Sequence, residues 1–192
     1  PVSRDTTSIL GVTLKSKDPA VLIGLSNYED GLALGTTVRQ YRFRSKLPVE
    51  VRGGNGSSVG PMALSDWDQD GDLDLFVGGR FLVGRIPESP SSSLFLNVAG
   101  QFKKMEQGNE AIEGIGMVSG AIFTDLDGDS DPDLVCALEW GSLEVFLNEK
   151  GQFRRATDEW GLSGYRGFWN GVHAGDFNAD GKMDLVASNW GL

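Results

Sequence analysis

The sequence predicts an all-β chain built from repeated four-stranded units, and three observations carry that prediction. A nine-residue pattern with acidic side chains at alternate positions occurs three times. The copies are Asp66-Trp67-Asp68-Gln69-Asp70-Gly71-Asp72-Leu73-Asp74, Asp125-Leu126-Asp127-Gly128-Asp129-Ser130-Asp131-Pro132-Asp133 and Asp176-Phe177-Asn178-Ala179-Asp180-Gly181-Lys182-Met183-Asp184. Each copy runs into a short apolar stretch of strand type: Leu75-Phe76-Val77, Leu134-Val135-Cys136 and Leu185-Val186-Ala187. No segment of helical period stands out, while 27 glycines are available for turns.

Taken in order, the chain begins with a degenerate copy of the repeat. Lys17-Asp18-Pro19-Ala20-Val21-Leu22 aligns with Ser130-Asp131-Pro132-Asp133-Leu134-Val135, which places position 1 at Val12 and position 9 at Ala20. This copy keeps the frame without the ligands. First positions at 12, 66, 125 and 176 are spaced by 54, 59 and 51 residues, the length of four short strands with their turns. Val38 to Phe43 reads as the third strand of the first unit. A small and apolar strand precedes each acidic loop: Val59 to Ser65, Val118 to Thr124 and Gly171 to Gly175. Leu94 to Phe102 and Val145 to Phe153 each read as a strand, an Asn/Gly turn and a further strand.

The units are therefore expected at 1–52, 53–106 and 107–157, with a half unit at 158–192. Gly53 to Ser58 and Glu88 to Ser93 are expected to connect one unit to the next. Three and a half units do not close a ring, so the expectation is about half of a seven-membered ring, or closure by a second copy. The start at Pro1, with no signal peptide, reads as a processed product or an excised piece.

The loops carry the chemistry. Five carboxylates within nine residues repel one another unless a cation gathers them. Hard oxygen ligands crowded on a tight turn suit Ca²⁺, which takes six to eight oxygens. Gly71 and Gly181 allow the positive φ of such a turn, whereas Ser130 at the same position costs about 1–2 kcal/mol; the neighbouring Gly128 is expected to reshape that turn. An EF-hand is excluded. Its twelfth position needs a bidentate Glu, and position 12 here is Val77, Cys136 and Ala187.

A loop of this kind that ends in a strand resembles the FG-GAP (VCBS-type) repeat, the blade of integrin-α-like β-propellers. The resemblance covers nearly the whole chain. It implies blades of four antiparallel strands, with a calcium loop between the first and second strand of each. It also implies that side chains at positions 1, 3, 5 and 9 and the carbonyl at position 7 hold the ion. The first site would be Asp66, Asp68, Asp70, Asp74 and the carbonyl of Asp72. The second would be Asp125, Asp127, Asp129, Asp133 and the carbonyl of Asp131. The third would be Asp176, Asn178, Asp180, Asp184 and the carbonyl of Lys182. Up to three Ca²⁺ are thus implied, with weaker binding at the third loop, where Asn178 and Lys182 reduce the negative charge. The role expected is structural, since Ca²⁺ is a poor Lewis acid beside Zn²⁺ and no base or nucleophile accompanies the loops.

Composition narrows the setting. Net charge is −10, but thirteen of the 27 acidic residues lie in the three loops, leaving 14 against 17 Lys plus Arg. The acidity belongs to the metal loops. No dense Lys/Arg run is present, which argues against nucleic-acid binding. No apolar run approaches the ~20 residues needed to span a bilayer. Calcium modules of this type work where Ca²⁺ is near millimolar, so a secreted, periplasmic or cell-surface location is expected. A single cysteine, Cys136, excludes an intrachain disulfide framework and reads as a buried thiol. The single histidine, His173, reads as a structural residue near a central channel; neither zinc spacing nor a nucleophile elbow occurs.

A set of aromatics forms the second feature. Tyr28, Phe81, Trp140 and Trp190 follow the second strand of successive units, six to eight residues past position 9. Because strands alternate in direction, these connections lie on the face opposite the metal loops. So does Trp160 to Trp169, with Arg80, Arg85 and Arg166 on the same side. Such residues either plug between blades or form a recognition platform for a protein or sugar. Trp140, Trp160, Tyr165, Arg166, Trp169 and Trp190 are the partner-binding candidates. The function expected is a calcium-binding scaffold that holds a protein or carbohydrate partner. The rivals are the propeller part of a sugar-processing, lyase- or dehydratase-like enzyme, and a purely structural subunit of a surface assembly.

Overall fold

A computed structural model describes residues 4–15, 17–29, 35–45, 47–52, 56–106 and 110–191. Among them are fourteen strands and no helix. The first sheet holds β1 (Thr6–Thr13), β2 (Pro19–Leu25), β3 (Val38–Arg42) and β4 (Val49–Arg52). The second holds β5 (Ser57–Ser65), β6 (Asp74–Leu82), β7 (Ser93–Val98) and β8 (Gln101–Lys104). Then come β9 (Met117–Thr124), β10 (Asp133–Gly141), β11 (Leu143–Glu149) and β12 (Gln152–Arg155), followed by the hairpin β13 (Gly167–Gly175) and β14 (Asp184–Asn189). Each four-strand set pairs in chain order and antiparallel, as in a propeller blade.

Two features differ from the sequence reading. Glu88 to Ser93 does not connect two units. It joins β6 to β7 inside the second sheet, and Ser91 and Ser92 hydrogen-bond back to that sheet, with Ser91 N–H donating to Ser57 Oγ at 2.9 Å and Gly79 N–H to Ser92 Oγ at 3.0 Å. In addition, β13 pairs with the end of β10 through Glu139–Phe168 and Gly141–Gly167, which ties the last hairpin to the third sheet. The Gly53-Gly54-Asn55 part of the other expected connection lies outside the described residues, as does Leu192.

The continuous apolar runs after each loop follow from burial on both faces. Successive residues of a strand point to opposite sides, so a sheet stacked between two others needs apolar residues at every position. In β6, Leu75 and Val77 pack with Val12, Leu22 and Val38 of the first sheet, while Phe76 packs with Val118, Leu134 and Cys136 of the third. In β10 the same alternation sends Leu134 and Cys136 back toward the second sheet and Val135 forward to Val172 and Leu185.

Glycine permits the inner strands to approach. A Cβ on Gly60 would lie 2.7 Å from the Val118 carbonyl oxygen, and one on Gly120 would lie 2.8 Å from Gly171 Cα. The hairpins closing the second and third sheets use two residues of positive φ each, Ala99-Gly100 and Lys150-Gly151, as a type I′ turn requires.

Candidate metal centres

All three acidic loops join the first strand of a sheet or hairpin to the second, and all three fold by the same internal hydrogen bonds. The position 1 carboxylate accepts the position 6 N–H: Gly71 to Asp66 at 3.0 Å, Ser130 to Asp125 at 3.0 Å and Gly181 to Asp176 at 2.9 Å. Position 3 accepts the N–H of position 5, with Asp70, Asp129 and Asp180 donating to Asp68, Asp127 and Asn178 at 3.2, 3.2 and 2.9 Å. Position 5 accepts the N–H of position 7, from Asp72, Asp131 and Lys182, at 2.8 Å in each loop. Position 6 has φ of +88°, +76° and +84° at Gly71, Ser130 and Gly181. Ser130 therefore adopts the glycine conformation, and Gly128 does not reshape the turn. Position 4 is left-handed too, at Gln69, Gly128 and Ala179.

This winding brings position 9 back to positions 1 and 3. One carboxylate oxygen from each of Asp66, Asp68 and Asp74 lies within 4.8 Å of the others, and the same holds for Asp125, Asp127 and Asp133. Two oxygens sharing one Ca²⁺ at about 2.4 Å can be at most about 4.8 Å apart, so both triads fit a single hard cation. In the third loop Asp176, Asp180 and Asp184 are present, but Asn178 stands at position 3, so no carboxylate triad of that form arises.

The buried carboxylates show what the cation would offset. Asp74 and Asp133 are fully buried. Asn97 N–H donates to Asp74 at 2.8 Å, and Asn148 and Leu126 N–H both donate to Asp133 at 2.8 Å. Two buried oxygens in the first loop, Asp66 Oδ1 and Asp74 Oδ2, have no hydrogen-bond partner. Buried acceptors left in that state are costly and mark where a metal would sit. Burial, with a smaller contribution from the charges of Asp68, Asp70 and Asp66, pushes the Asp74 carboxyl up to about 7 against the hydrogen bond from Asn97. Asp133 and Asp68 are also raised, burial being the main cause in both.

Positions 5 and 7 lie outside the triads. Their side chains are engaged locally or by neighbours: Asp72 faces Lys15 Nζ at 3.2 Å, and Asp131 accepts Gln69 Nε2 at 2.6 Å and Lys150 N–H at 3.1 Å. A side chain committed in this way fits position 7, expected to offer only its main-chain carbonyl, whereas position 5, expected to offer its side chain, is not among the gathered carboxylates. Asn97 and Asn148 were not singled out as site residues by sequence reasoning. Their repeated setting, Asn-x-x-Gly-Gln-Phe at the end of the third strand, is the signal that could have found them. Each holds the position 9 carboxylate through its N–H and accepts the N–H of the glycine three residues on, at 2.9 and 2.7 Å.

On the other face, the structure brings together only some of the aromatic candidates. Trp140 is the extra residue of a bulge between Glu139 and Gly141, has φ +56° and is 60% exposed. Its ring meets Phe168 edge-on at 6.3 Å, and Phe168 meets Trp190, 82% exposed, at 5.8 Å. With Arg166 they line a cavity of about 400 Å³, and Trp140 and Arg166 also border a polar cavity of about 290 Å³ with Glu139, Glu144 and Arg155. Trp160 and Tyr165 are exposed in the loop before β13, and Trp169 Nε1 donates to the Tyr165 carbonyl at 3.1 Å. Tyr28 and Phe81 form a separate edge-on pair at 6.3 Å. His173 is exposed on β13. Cys136 is buried, and burial together with the Glu144 charge pushes its thiol far above the ordinary range.

The sequence profile of the FG-GAP-like repeat matches residues 66–136 and again residues 125–187. The two matches together run from the first acidic loop into the strand after the third. Among curated proteins, none matches the chain.

Proposed function

Since the chain belongs to the FG-GAP-like repeat family, we propose that it is a calcium-stabilised, extracytoplasmic propeller scaffold holding a protein or carbohydrate partner on the face opposite its metal loops. The observation that carries the metal part is the shared hydrogen-bond pattern of three acidic loops, two of which gather a carboxylate triad of Ca²⁺ dimensions. All-oxygen donors favour Ca²⁺ over softer metals. Bound there, the ion supplies charge neutralisation rather than chemistry. Binding the folded loop and not the unfolded chain stabilises by mass action, by several kcal/mol when Ca²⁺ far exceeds Kd.

Calorimetric unfolding with excess Ca²⁺ and then with chelator tests this reading. A fall in Tm on chelation is expected, and Asp66→Asn and Asp74→Asn are expected to remove part of the difference. An unchanged Tm would refute structural calcium.

The partner surface rests on Trp140, Phe168, Trp190 and Arg166. Exposed aromatic faces beside a guanidinium are what protein hot spots and sugar platforms use. Val186, 53% exposed on the open side of β14, offers an apolar position that a further sheet or a second copy would cover. Soluble oligosaccharides titrated against tryptophan fluorescence test the carbohydrate arm. Saturable quenching abolished by Trp140→Ala supports it, and no response to any sugar leaves a protein partner as the reading.

A further inference from the structure

The acidic loops also touch one another, by a rule that repeats. Position 4 of one loop reaches position 7 of the next. In the degenerate first copy position 4 is Lys15. Its Nζ lies 3.2 Å from Asp72 Oδ2, position 7 of the following loop, and donates to the Asp70 carbonyl at 2.9 Å. In that following loop position 4 is Gln69, whose Nε2 donates to Asp131 Oδ1, again position 7 of the next, at 2.6 Å. At the third junction the corresponding residues are Gly128, which has no side chain, and Lys182, a cation where the other two loops carry a carboxylate.

Gln69 sits at a left-handed position that all three loops share. It holds φ +58°, as Gly128 and Ala179 hold left-handed φ at the same position of the other loops, so the loop winding directs its side chain away from its own turn. Around the same gap, Asn148 Nδ2 donates to the Trp67 carbonyl at 2.9 Å, and Lys150 N–H holds the other oxygen of Asp131 at 3.1 Å.

We infer that Gln69 is a positioning residue that couples the first two metal loops, so that a cation in the first raises the affinity of the second. Gln69 lies between Asp68 and Asp70, so a cation that gathers Asp66, Asp68 and Asp74 fixes the stretch carrying its amide. The amide in turn fixes Asp131, the residue expected to present its carbonyl to the second ion. The third loop has no such link and binds independently. Lys15 plays the matching part toward the first loop from a copy that binds no metal, with a fixed ammonium in place of an ordered amide.

This inference rests on reading the loops as cation sites, and its test separates the two. The amides of Gly71, Ser130 and Gly181 each donate to the position 1 carboxylate of their own loop, so their NMR resonances report the three loops separately during a CaCl₂ titration. Gln69→Gly keeps the left-handed backbone without strain and removes only the amide. It is expected to weaken the Ser130 response about five- to tenfold while leaving the Gly181 curve in place, the scale of an ordinary coupling between sites. Because coupling between two sites is reciprocal, the Gly71 curve is expected to weaken with it. If the Ser130 curve in Gln69→Gly matches the unsubstituted protein, the coupling is wrong and the metal reading stands. If no loop responds to Ca²⁺ in the unsubstituted protein, both fall. An unchanged Gly181 curve guards against misfolding, because a globally damaged variant would shift all three.

Discussion

Ser130 is a place where the loop fold can be tested by improving it. At φ +76° it occupies the left-handed region that Gly71 and Gly181 hold in the other two loops. For a residue with a Cβ this costs about 1–2 kcal/mol. Replacement by glycine recovers that cost but adds about 0.5–1 kcal/mol of conformational entropy to the unfolded chain. At the midpoints of the two ranges the difference is a net stabilisation of about 0.75 kcal/mol for Ser130→Gly. The backbone N–H to Asp125 Oδ2 survives the change. In a chain of this length such a gain raises Tm by about 1–4 °C. The reverse change, Gly71→Ser, meets open space, since nothing lies within 4 Å of a Cβ there. It therefore isolates the backbone cost and is expected to lower Tm by a similar amount. Differential scanning calorimetry of both variants, with and without Ca²⁺, is the assay. A lower Tm for Ser130→Gly, or no loss for Gly71→Ser, would refute the account of position 6.

Two further expectations concern packing and protons. Gly120→Val would put a Cβ 2.8 Å from Gly171 Cα and 3.0 Å from Val172 N, both main-chain atoms that cannot swing aside, and overpacking of this kind costs about 1–3 kcal/mol or more. A chemical denaturation midpoint unchanged by that substitution would mean that β9 and β13 do not approach so closely. In calcium-free buffer, Asp74 has a folded-state value of about 7 against an ordinary 3.8, so the folded chain holds its proton more tightly than the unfolded chain. Its contribution is therefore full below about pH 4 and is lost as pH rises toward 7. Denaturation midpoints across that window should fall with pH and flatten in Asp74→Asn, and a slope identical in both would rule Asp74 out as its source.

Much of this was legible in the sequence because the signals are local. A nine-residue loop that folds by hydrogen bonds among its own side chains and backbone declares itself through residue spacing alone. The carboxylates at positions 1, 3 and 9 were readable for that reason, as was the strand after each loop. Polar composition says less about connectivity. Glu88 to Ser93 reads as a link between units, and only pairing shows that it leads from β6 into β7 within one sheet. Trp67, a spacer between Asp66 and Asp68, is fully buried against Phe123 and Phe153. Nothing in its immediate sequence distinguishes it from a solvent-facing position.

By itself, then, the sequence determined the all-β repeat, the acidic loops and the oxygen donors of the candidate metal centres. Tertiary structure decided which residues from different sheets meet. Lys15 and Gln69 look like ordinary surface side chains until stacking carries each to the loop of the next sheet. Trp140 and Trp190 part company with Trp160 only because a bulge and the β10–β13 pairing turn them toward Phe168. The physical reason is range. Turn geometry depends on a few consecutive dihedral angles, whereas inter-sheet contacts depend on the accumulated twist and stacking of strands some sixty residues apart.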